Sequence, residues 1–256
     1  MIEALLVGQL TWNMPMLICL LVIVLAYIYC ARYWDYSGIH TLHISLFIIA
    51  AGLFYLLLGS PLKTISHLSF SFHMTYMSIL YFFGPPLILM SLPHIVTQFA
   101  NGKKTVLLCK IALYLFAVCF LLYHIPYVMI FMSKYASIRS LYEYLLLLLA
   151  LLMWWPLVLP SYINKKRYAF LNGALLMPSC MVFILAAFMG AGNNPMLTQL
   201  SAMLCMPADM NIQPLPPPFN TALDQFIAGL IMLLFHKFAI MLTAKMGEVY
   251  KNKPRF

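Results

Sequence analysis

Seven long apolar runs constrain the fold of this chain more than any other feature of its sequence. Each run is close to or longer than the ~20 residues that an α-helix needs to cross ~30 Å of hydrocarbon. Charged residues make up 8% of the 256 residues, whereas a typical soluble domain carries roughly 25%. A soluble globular fold is therefore excluded. We expect one integral membrane domain over residues 1–256, with spans at about residues 14–31, 41–59, 68–92, 106–132, 141–160, 169–190 and 222–244.

The composition of the runs favours helices over a transmembrane barrel. Leu, Ile, Phe and Met dominate the runs without the alternation of a β-strand. Backbone groups in lipid must be paired within a helix or around a closed barrel, so the predicted fold class is an all-α, seven-helix membrane bundle. The first run has no basic residue before Arg32 and no small-residue cleavage pattern after it, and we expect it to be retained as a helix.

The basic residues predict the orientation of the bundle, because Lys and Arg in short loops stay on the cytoplasmic side. With the N-terminus outside and the C-terminus cytoplasmic, 12 of the 15 basic residues are cytoplasmic: Arg32, Lys103, Lys104, Lys110, Lys165, Lys166, Arg167, Lys237, Lys245, Lys251, Lys253 and Arg255. The outer loop, residues 191–221, has no basic residue. Topology accounts for the positive charge, so we expect the lipid bilayer and no nucleic acid as a partner.

Proline and tryptophan mark two further features of the predicted spans. Pro85 and Pro86 lie within the third run, where they remove two backbone donors and are expected to kink or break the helix. A break in lipid requires a protein neighbour to satisfy the freed carbonyls. Tryptophans near the ends of runs are expected to anchor the bundle at the membrane interface; they are Trp12, Trp34, Trp154 and Trp155.

The third run carries two histidines and two methionines on one helical face. His67, His73, Met74 and Met77 fall within an arc of about 120° when each residue turns the helix by ~100°. Imidazole nitrogen and thioether sulfur suit Cu(I), whereas hard cations favour the carboxylate oxygens that this face lacks. A rise of ~1.5 Å per residue separates His67 from His73 by about 9 Å. His73, Met74 and Met77 are therefore the tighter candidate set.

His124 is a further candidate ligand near the end of the fourth run. The predicted topology puts it at the same outer level as His67 and His73, so we predict a Cu(I) site at the outer leaflet from these three histidines with Met74 and Met77. Methionine also fills gaps in helix packing and histidine also hydrogen-bonds across helices, so a structural role is the alternative. Four histidines fall toward the cytoplasmic side and are assigned no role: His40, His43, His94 and His236.

Glu143 and Asp224 are the carboxylates within or beside the outer halves of the spans. Ionisable groups in spans are costly and are therefore candidates for function. The alternative is a structural partner, either Lys134 or Arg139 or a helix N-terminus, where the helix dipole favours negative charge. Gln225 follows Asp224 as a further polar group within the last run.

The outer loop is rich in methionine and proline. Met203, Met206 and Met210 would share one face of a short amphipathic helix on the membrane, which we favour over a copper-acquiring surface. The chain has no Gly-rich phosphate loop, no G-x-S-x-G string and no His/Glu zinc-protease pattern. We therefore do not expect an enzyme.

Several strings of this chain occur in the order seen in one family of membrane proteins. They begin in the third run with Ser66-His67, His73-Met74-x-x-Met77, Pro85-Pro86 and Pro93. They continue with His124-Ile125-Pro126, Met153-Trp154-Trp155-Pro156-Leu157, Asn172-Gly173 with Pro178, Asn194-Pro195, Asp224-Gln225 and Ala228-Gly229-Leu230-Ile231-Met232. With these strings, which extend over about residues 66–232, the chain resembles the CtaG family of Gram-positive type, implicated in assembling caa-type cytochrome c oxidase.

The resemblance implies a multi-pass protein of the bacterial cell membrane that helps to form the copper B centre of the oxidase by presenting Cu(I). A subunit of cytochrome c oxidase is the implied partner. Many relatives carry a His-x-x-Glu-His string at the start of the fifth run, where this chain has Ser140-x-x-Glu143-Tyr144. A copper site here therefore rests on fewer imidazoles. A metal-free scaffold for oxidase subunits is the alternative function, and a metal or small-solute transporter is a third.

Overall fold

The long apolar runs form helices in a computed structural model that describes residues 11–33, 41–92, 102–158, 163–189 and 219–252. These ranges are mostly helical and contain no strand, and seven helices among them are long and apolar enough to cross a membrane. The predicted all-α, seven-helix membrane fold is confirmed. Its orientation in the membrane stays a prediction.

Ten α-helices make up the described part of the chain. They are α1 Met14–Tyr33, α2 Thr41–Phe54, α3 Leu62–Ser66, α4 Phe70–Ser78, α5 Gly84–Ser91, α6 Lys103–Tyr123, α7 Pro126–Lys134, α8 Ala136–Val158, α9 Lys165–Phe188 and α10 Ala222–Asn252. A π-helical turn, Tyr55–Gly59, extends α2, and a second, Ile79–Phe83, joins α4 to α5 into one span. The seven spans are therefore α1, extended α2, α4 with α5, α6, α8, α9 and α10.

The third span, Phe70–Ser91, lies at the centre of the bundle. The buried share of its most apolar stretch is 72%, compared with 6% for the first span. Its mean hydropathy of 1.3 is the lowest of the seven, because serines, a threonine and a histidine interrupt the apolar residues of α4. Polar side chains are costly in lipid, so this span is surrounded by α2, α8 and α10 while α1 packs at the periphery.

The proline pair of the third span is followed by continued helix, and a tryptophan takes over the lost hydrogen bond. Pro85 has no N–H to donate to the carbonyl of Tyr81, four residues earlier. The indole nitrogen of Trp154 donates to that carbonyl instead, at 2.9 Å. Trp154 is fully buried, so its predicted place at the membrane interface is wrong. The freed carbonyl needs a donor from the protein, and the indole N–H on α8 is that donor.

The fourth predicted span, about residues 106–132, extends too far at its C-terminal end. The helix begins at Lys103 and ends at Tyr123, and a separate short helix starts at Pro126. Proline has no N–H and disfavours helical backbone at the residue before it, and Ile125 is accordingly extended. Most of the outer loop, with Met203, Met206 and Met210, lies outside the described residues, as do Trp34, His40 and His94.

Candidate metal-binding site

The first turn of α4 is fixed by a serine of its own chain segment and an aspartate from the last span. Ser69 has extended backbone and its hydroxyl accepts from the amide of Phe72 at 3.2 Å. The carboxylate of Asp224, on α10, accepts from the amides of Phe70 at 2.9 Å and Ser71 at 3.3 Å. These amides have no partner within the helix, and the helix dipole favours a negative charge there. Asp224 therefore caps α4. These contacts support a structural role at a helix N-terminus, which was the alternative to a functional role for this residue.

His67 lies in the connection before α4 and is not part of that helix. Helix α3 ends at Ser66, and the side-chain amide of Asn220 donates to the carbonyl of Leu68 at 2.8 Å. The expectation that His67 and His73 share one helix is therefore wrong. Because the chain turns between them, the imidazole centroids lie 5.5 Å apart, nearer than a straight helix would allow.

His73 is the most enclosed of the candidate imidazoles. Its ring lies 6.1 Å from that of Tyr123, nearly parallel to it. Both ring nitrogens are buried, and neither has a hydrogen-bond partner among the described residues. Unpaired buried polar atoms typically cost about 1–3 kcal/mol each and are uncommon in native proteins, so His73 marks a place where a ligand would be stabilised.

His124 follows the last residue of α6 and presents one free nitrogen to the interior. Its Nδ1 is hydrogen-bonded to the carbonyl of Phe120 and therefore carries the proton. Its Nε2 is buried and has no partner in the described part of the chain. Burial lowers the pKa of His124 to about 4, and the Phe120 hydrogen bond opposes this shift weakly. The imidazole is neutral near pH 7 and its Nε2 lone pair can bind a metal.

Electrostatics also keep His67 neutral. Burial, together with the positive charges of Arg139 and Lys63, lowers the pKa of His67 to about 3. A neutral imidazole is the form that binds metal ions. His67 and His124 are therefore in the metal-binding protonation state at physiological pH.

Met74 and Met77 are both buried in the hydrophobic core of the bundle. On the wheel of α4, Met77 lies about 40° from His73, whereas Met74 lies about 100° away. Met77 is thus the better placed of the two beside His73. No group of three or more His, Cys, Asp or Glu residues arranged for a metal ion occurs in the described ranges, so a metal here would have to use thioether sulfur as well as imidazole nitrogen.

The carboxylate of Glu143 is neutralised by two cations. Lys63, on α3, approaches it at 2.6 Å, and Arg139, one turn earlier on α8, lies at 3.8 Å. Arg139 was an expected structural partner, whereas Lys63 was not, because 80 residues separate it from Glu143. Glu143 therefore links α3 to α8, and its carboxylate is engaged in ion pairs.

The two positions on α8 where the resemblance implies imidazoles carry a half-buried Ser140 and an exposed Tyr144. Tyr144 is 60% exposed on the outside of the bundle, whereas Glu143 faces inward. A histidine at position 144 would therefore point away from His73. The tyrosine at this position therefore does not deprive the interior of a ligand. Gln225 is buried beside Asp224 at the start of α10.

Two tyrosines near His73 were not singled out from the sequence. The hydroxyls of Tyr76 and Tyr123 are buried and have no partner among the described residues. Tyr76 follows His73 by three residues on the same helical face. This spacing is the one feature of the sequence that could have indicated Tyr76 as a neighbour of His73. Tyr123 meets His73 from another helix, which the sequence does not predict.

Comparison with known proteins gives one match. The family model described as cytochrome c oxidase caa3 assembly factor (Caa3_CtaG) matches residues 25–246. The matched range contains every candidate residue of the site. No curated protein and no solved structure matches the chain.

Proposed function

The chain belongs to the family of cytochrome c oxidase caa3 assembly factors, and from this premise we propose that it binds Cu(I) as cargo and presents it for the copper B centre of the oxidase. The ligands are His73, His124 and Met77, with His67 and Met74 as neighbours. The partner is an oxidase subunit, and the protein acts in the bacterial cell membrane with this site at the outer leaflet. The family supports a role in assembly rather than catalysis.

The observation that carries the proposal is the set of unpaired imidazole nitrogens of His73 and His124. Both groups are buried, and a bound ion would offset the cost of leaving their lone pairs unpaired. The donor set is nitrogen and sulfur, which suits Cu(I) better than a hard cation. Glu143 is already paired, so a hard oxygen ligand is missing from the set.

A Cu(I) titration tests this ligand assignment. Detergent-purified protein is titrated with Cu(I) under reducing conditions against a chromogenic chelator, for the wild type and for His73→Ala combined with Met77→Leu. We expect the double variant to bind one Cu(I) fewer and to support less oxidase activity in cells. The control is Met177→Leu, since Met177 is exposed on α9. Unchanged copper stoichiometry in the double variant would contradict the assignment.

A metal-free scaffold for oxidase subunits is the second candidate function. It is favoured because the described ranges contain no cluster of three or more His, Cys, Asp or Glu residues that could hold a metal ion. A strain that lacks the protein distinguishes the two functions. Rescue of oxidase activity by added copper alone supports copper delivery, whereas failure of that rescue together with normal oxidase assembly by the His73→Ala, Met77→Leu variant supports the scaffold.

A further inference from the structure

A further buried imidazole lies within the seventh span, Ala222–Met246. His236, on α10, is 1% exposed, and its Nε2 lies 3.1 Å from the Oδ1 of Asn172 on α9. Asn172 is itself fully buried. Histidine within a span is a candidate for function, and its partner here is a neutral amide.

The Asn172 contact determines which nitrogen of His236 carries the proton. An amide oxygen only accepts hydrogen bonds, so Nε2 must be the N–H donor of this pair. In a neutral imidazole the other nitrogen, Nδ1, then has the free lone pair. Asn172 therefore orients the ring and leaves Nδ1 available as a ligand.

Met232 supplies a sulfur donor one helical turn before His236. The two residues are four apart, about 40° on the wheel of α10, which places their Cβ atoms ~5–6 Å apart. Side chains in a helix lean toward its N-terminus, so the ring of His236 extends over the turn that carries Met232. Met232 is 1% exposed. Helix spacing thus places a nitrogen donor and a sulfur donor on adjacent turns of one buried face of α10.

The groups in contact with the His236 ring include a phenyl ring and a neutral amide. The ring of Phe82 lies 4.7 Å from that of His236. The amide nitrogen of Asn172 is buried and has no partner in the part of the chain that the structure describes. A site built from imidazole, thioether and neutral groups favours a soft cation of low charge over a hard divalent one.

Two phenyl rings separate His236 from the site near His73. The ring of Phe82 contacts His236 on one side and lies 5.9 Å from Phe120 on the other. Phe120 in turn lies 4.5 Å from His124. The two imidazole sites are therefore distinct, and an ion bound to one cannot be shared with the other.

We propose that Met232 and His236 form a second Cu(I) site inside the bundle, with Asn172 as the residue that orients the imidazole. The site takes a soft monovalent metal ion. It does not depend on metal binding at His73, because its ligands come from α10 and its positioning residue from α9.

The experiment measures Cu(I) binding to the full chain after the first site has been disabled. Protein with His73→Ala and Met77→Leu is titrated with Cu(I) against a chromogenic chelator, alone and with Met232→Leu added. We expect the first protein to bind one Cu(I) and the added Met232→Leu to weaken that binding at least tenfold, with loss of sulfur scattering in X-ray absorption. Leucine conserves the volume of methionine and keeps the core filled.

The matched control is Met241→Leu in the same background, since Met241 is 62% exposed on the same helix. Equal Cu(I) affinity of the Met232→Leu and Met241→Leu proteins would overturn the proposal, and so would a background protein that binds no Cu(I). The outcome is separable from that of the proposed function. If the wild type and the background each bind one Cu(I), and Met232→Leu weakens that binding, the site at His73 fails while the site at His236 stands.

Discussion

At the scale of single residues, proline and helix ends leave backbone hydrogen-bonding groups unpaired. Polar side chains are buried where they can pair with these groups. Trp154 and Asp224 illustrate this. The indole of Trp154 replaces the donor that Pro85 lacks, and the carboxylate of Asp224 receives the amides of Phe70 and Ser71. In the sequence, Trp154 is a candidate membrane anchor and Asp224 is a candidate functional carboxylate. In the fold, each has a structural partner.

Substitution of Trp154 by Phe should destabilise the bundle. The change removes the indole N–H that donates to the carbonyl of Tyr81, and a buried unpaired carbonyl costs about 1–3 kcal/mol. The free energy of unfolding in mixed detergent–SDS micelles measures the loss. Trp155→Phe is the control, because it makes the same change at the neighbouring, only partly buried position. Equal stability of the two variants would contradict the role of the indole hydrogen bond.

Substitution of Asp224 by Ala should release the first turn of α4. The amides of Phe70 and Ser71 lose a charged acceptor, which we expect to cost about 1–3 kcal/mol of unfolding free energy. Hydrogen exchange at these two amides should become faster. Asp224→Asn keeps an acceptor without the charge, and we expect an intermediate effect. Unchanged exchange in the Ala variant would show that the cap is not formed.

At the scale of elements, the short helix α3 and the connection that carries His67 cover the third span between two attachments. One attachment is the ion pair of Lys63 with Glu143, and the other is the Asn220 bond to the carbonyl of Leu68. Each attachment joins segments far apart in sequence. The position of His67 beside His73 therefore depends on contacts with α8 and with the residues before α10.

Substitution of Lys63 by Met should loosen α3 from α8. Glu143 is buried, and without Lys63 its carboxylate keeps the more distant contact with Arg139, so one partner of a buried charge is lost. Lys63 is partly exposed, and we expect a cost of about 1–2 kcal/mol. Hydrogen exchange over residues 62–68 should accelerate. Lys134→Met, on the exposed side of α7, should leave that segment unchanged, and an equal response in both variants would refute the attachment.

At the scale of the whole molecule, the close approach of α9 and α10 holds the interior of the bundle together. A Cβ atom at Gly229 would lie 2.7 Å from Cγ1 of Ile184 and 3.0 Å from the backbone oxygen of Cys180. Small residues allow such close backbone packing between helices in membranes. The same pair of helices carries Asn172 and His236, so this packing also determines the geometry of the second imidazole site.

Substitution of Gly229 by Ala should force α9 and α10 apart. Alanine favours helix by up to ~1 kcal/mol, but the clash with the backbone of Cys180 should outweigh this and give a net loss of about 1–3 kcal/mol. Thermal unfolding in detergent measures the change. Gly52→Ala is the control, because nothing lies within 4 Å of a Cβ atom there, and it should be neutral or stabilising. A stabilised Gly229→Ala protein would contradict the packing argument.

The sequence by itself determined that this chain forms seven apolar spans and belongs among helical membrane proteins. Hydropathy is a local property that accumulates over one span, so neighbouring residues are sufficient to reveal it. Local rules also placed a disruption at Pro85 and Pro86. They failed at residues 106–132, where a purely hydropathic boundary ignored the effect of Pro126 on the residue before it.

The tertiary structure decided which polar groups meet. Trp154 reaches Tyr81 across 73 residues, Lys63 reaches Glu143 across 80, and Asp224 reaches Phe70 across 154. Such pairs depend on how the spans pack, and no periodicity within one span encodes them. The histidines of the third and fourth spans could be assigned to one end of the bundle from topology. The turn that brings His67 to His73 and the amide that orients His236 follow only from the packed helices, because contacts between distant segments are set by packing and not by the local sequence.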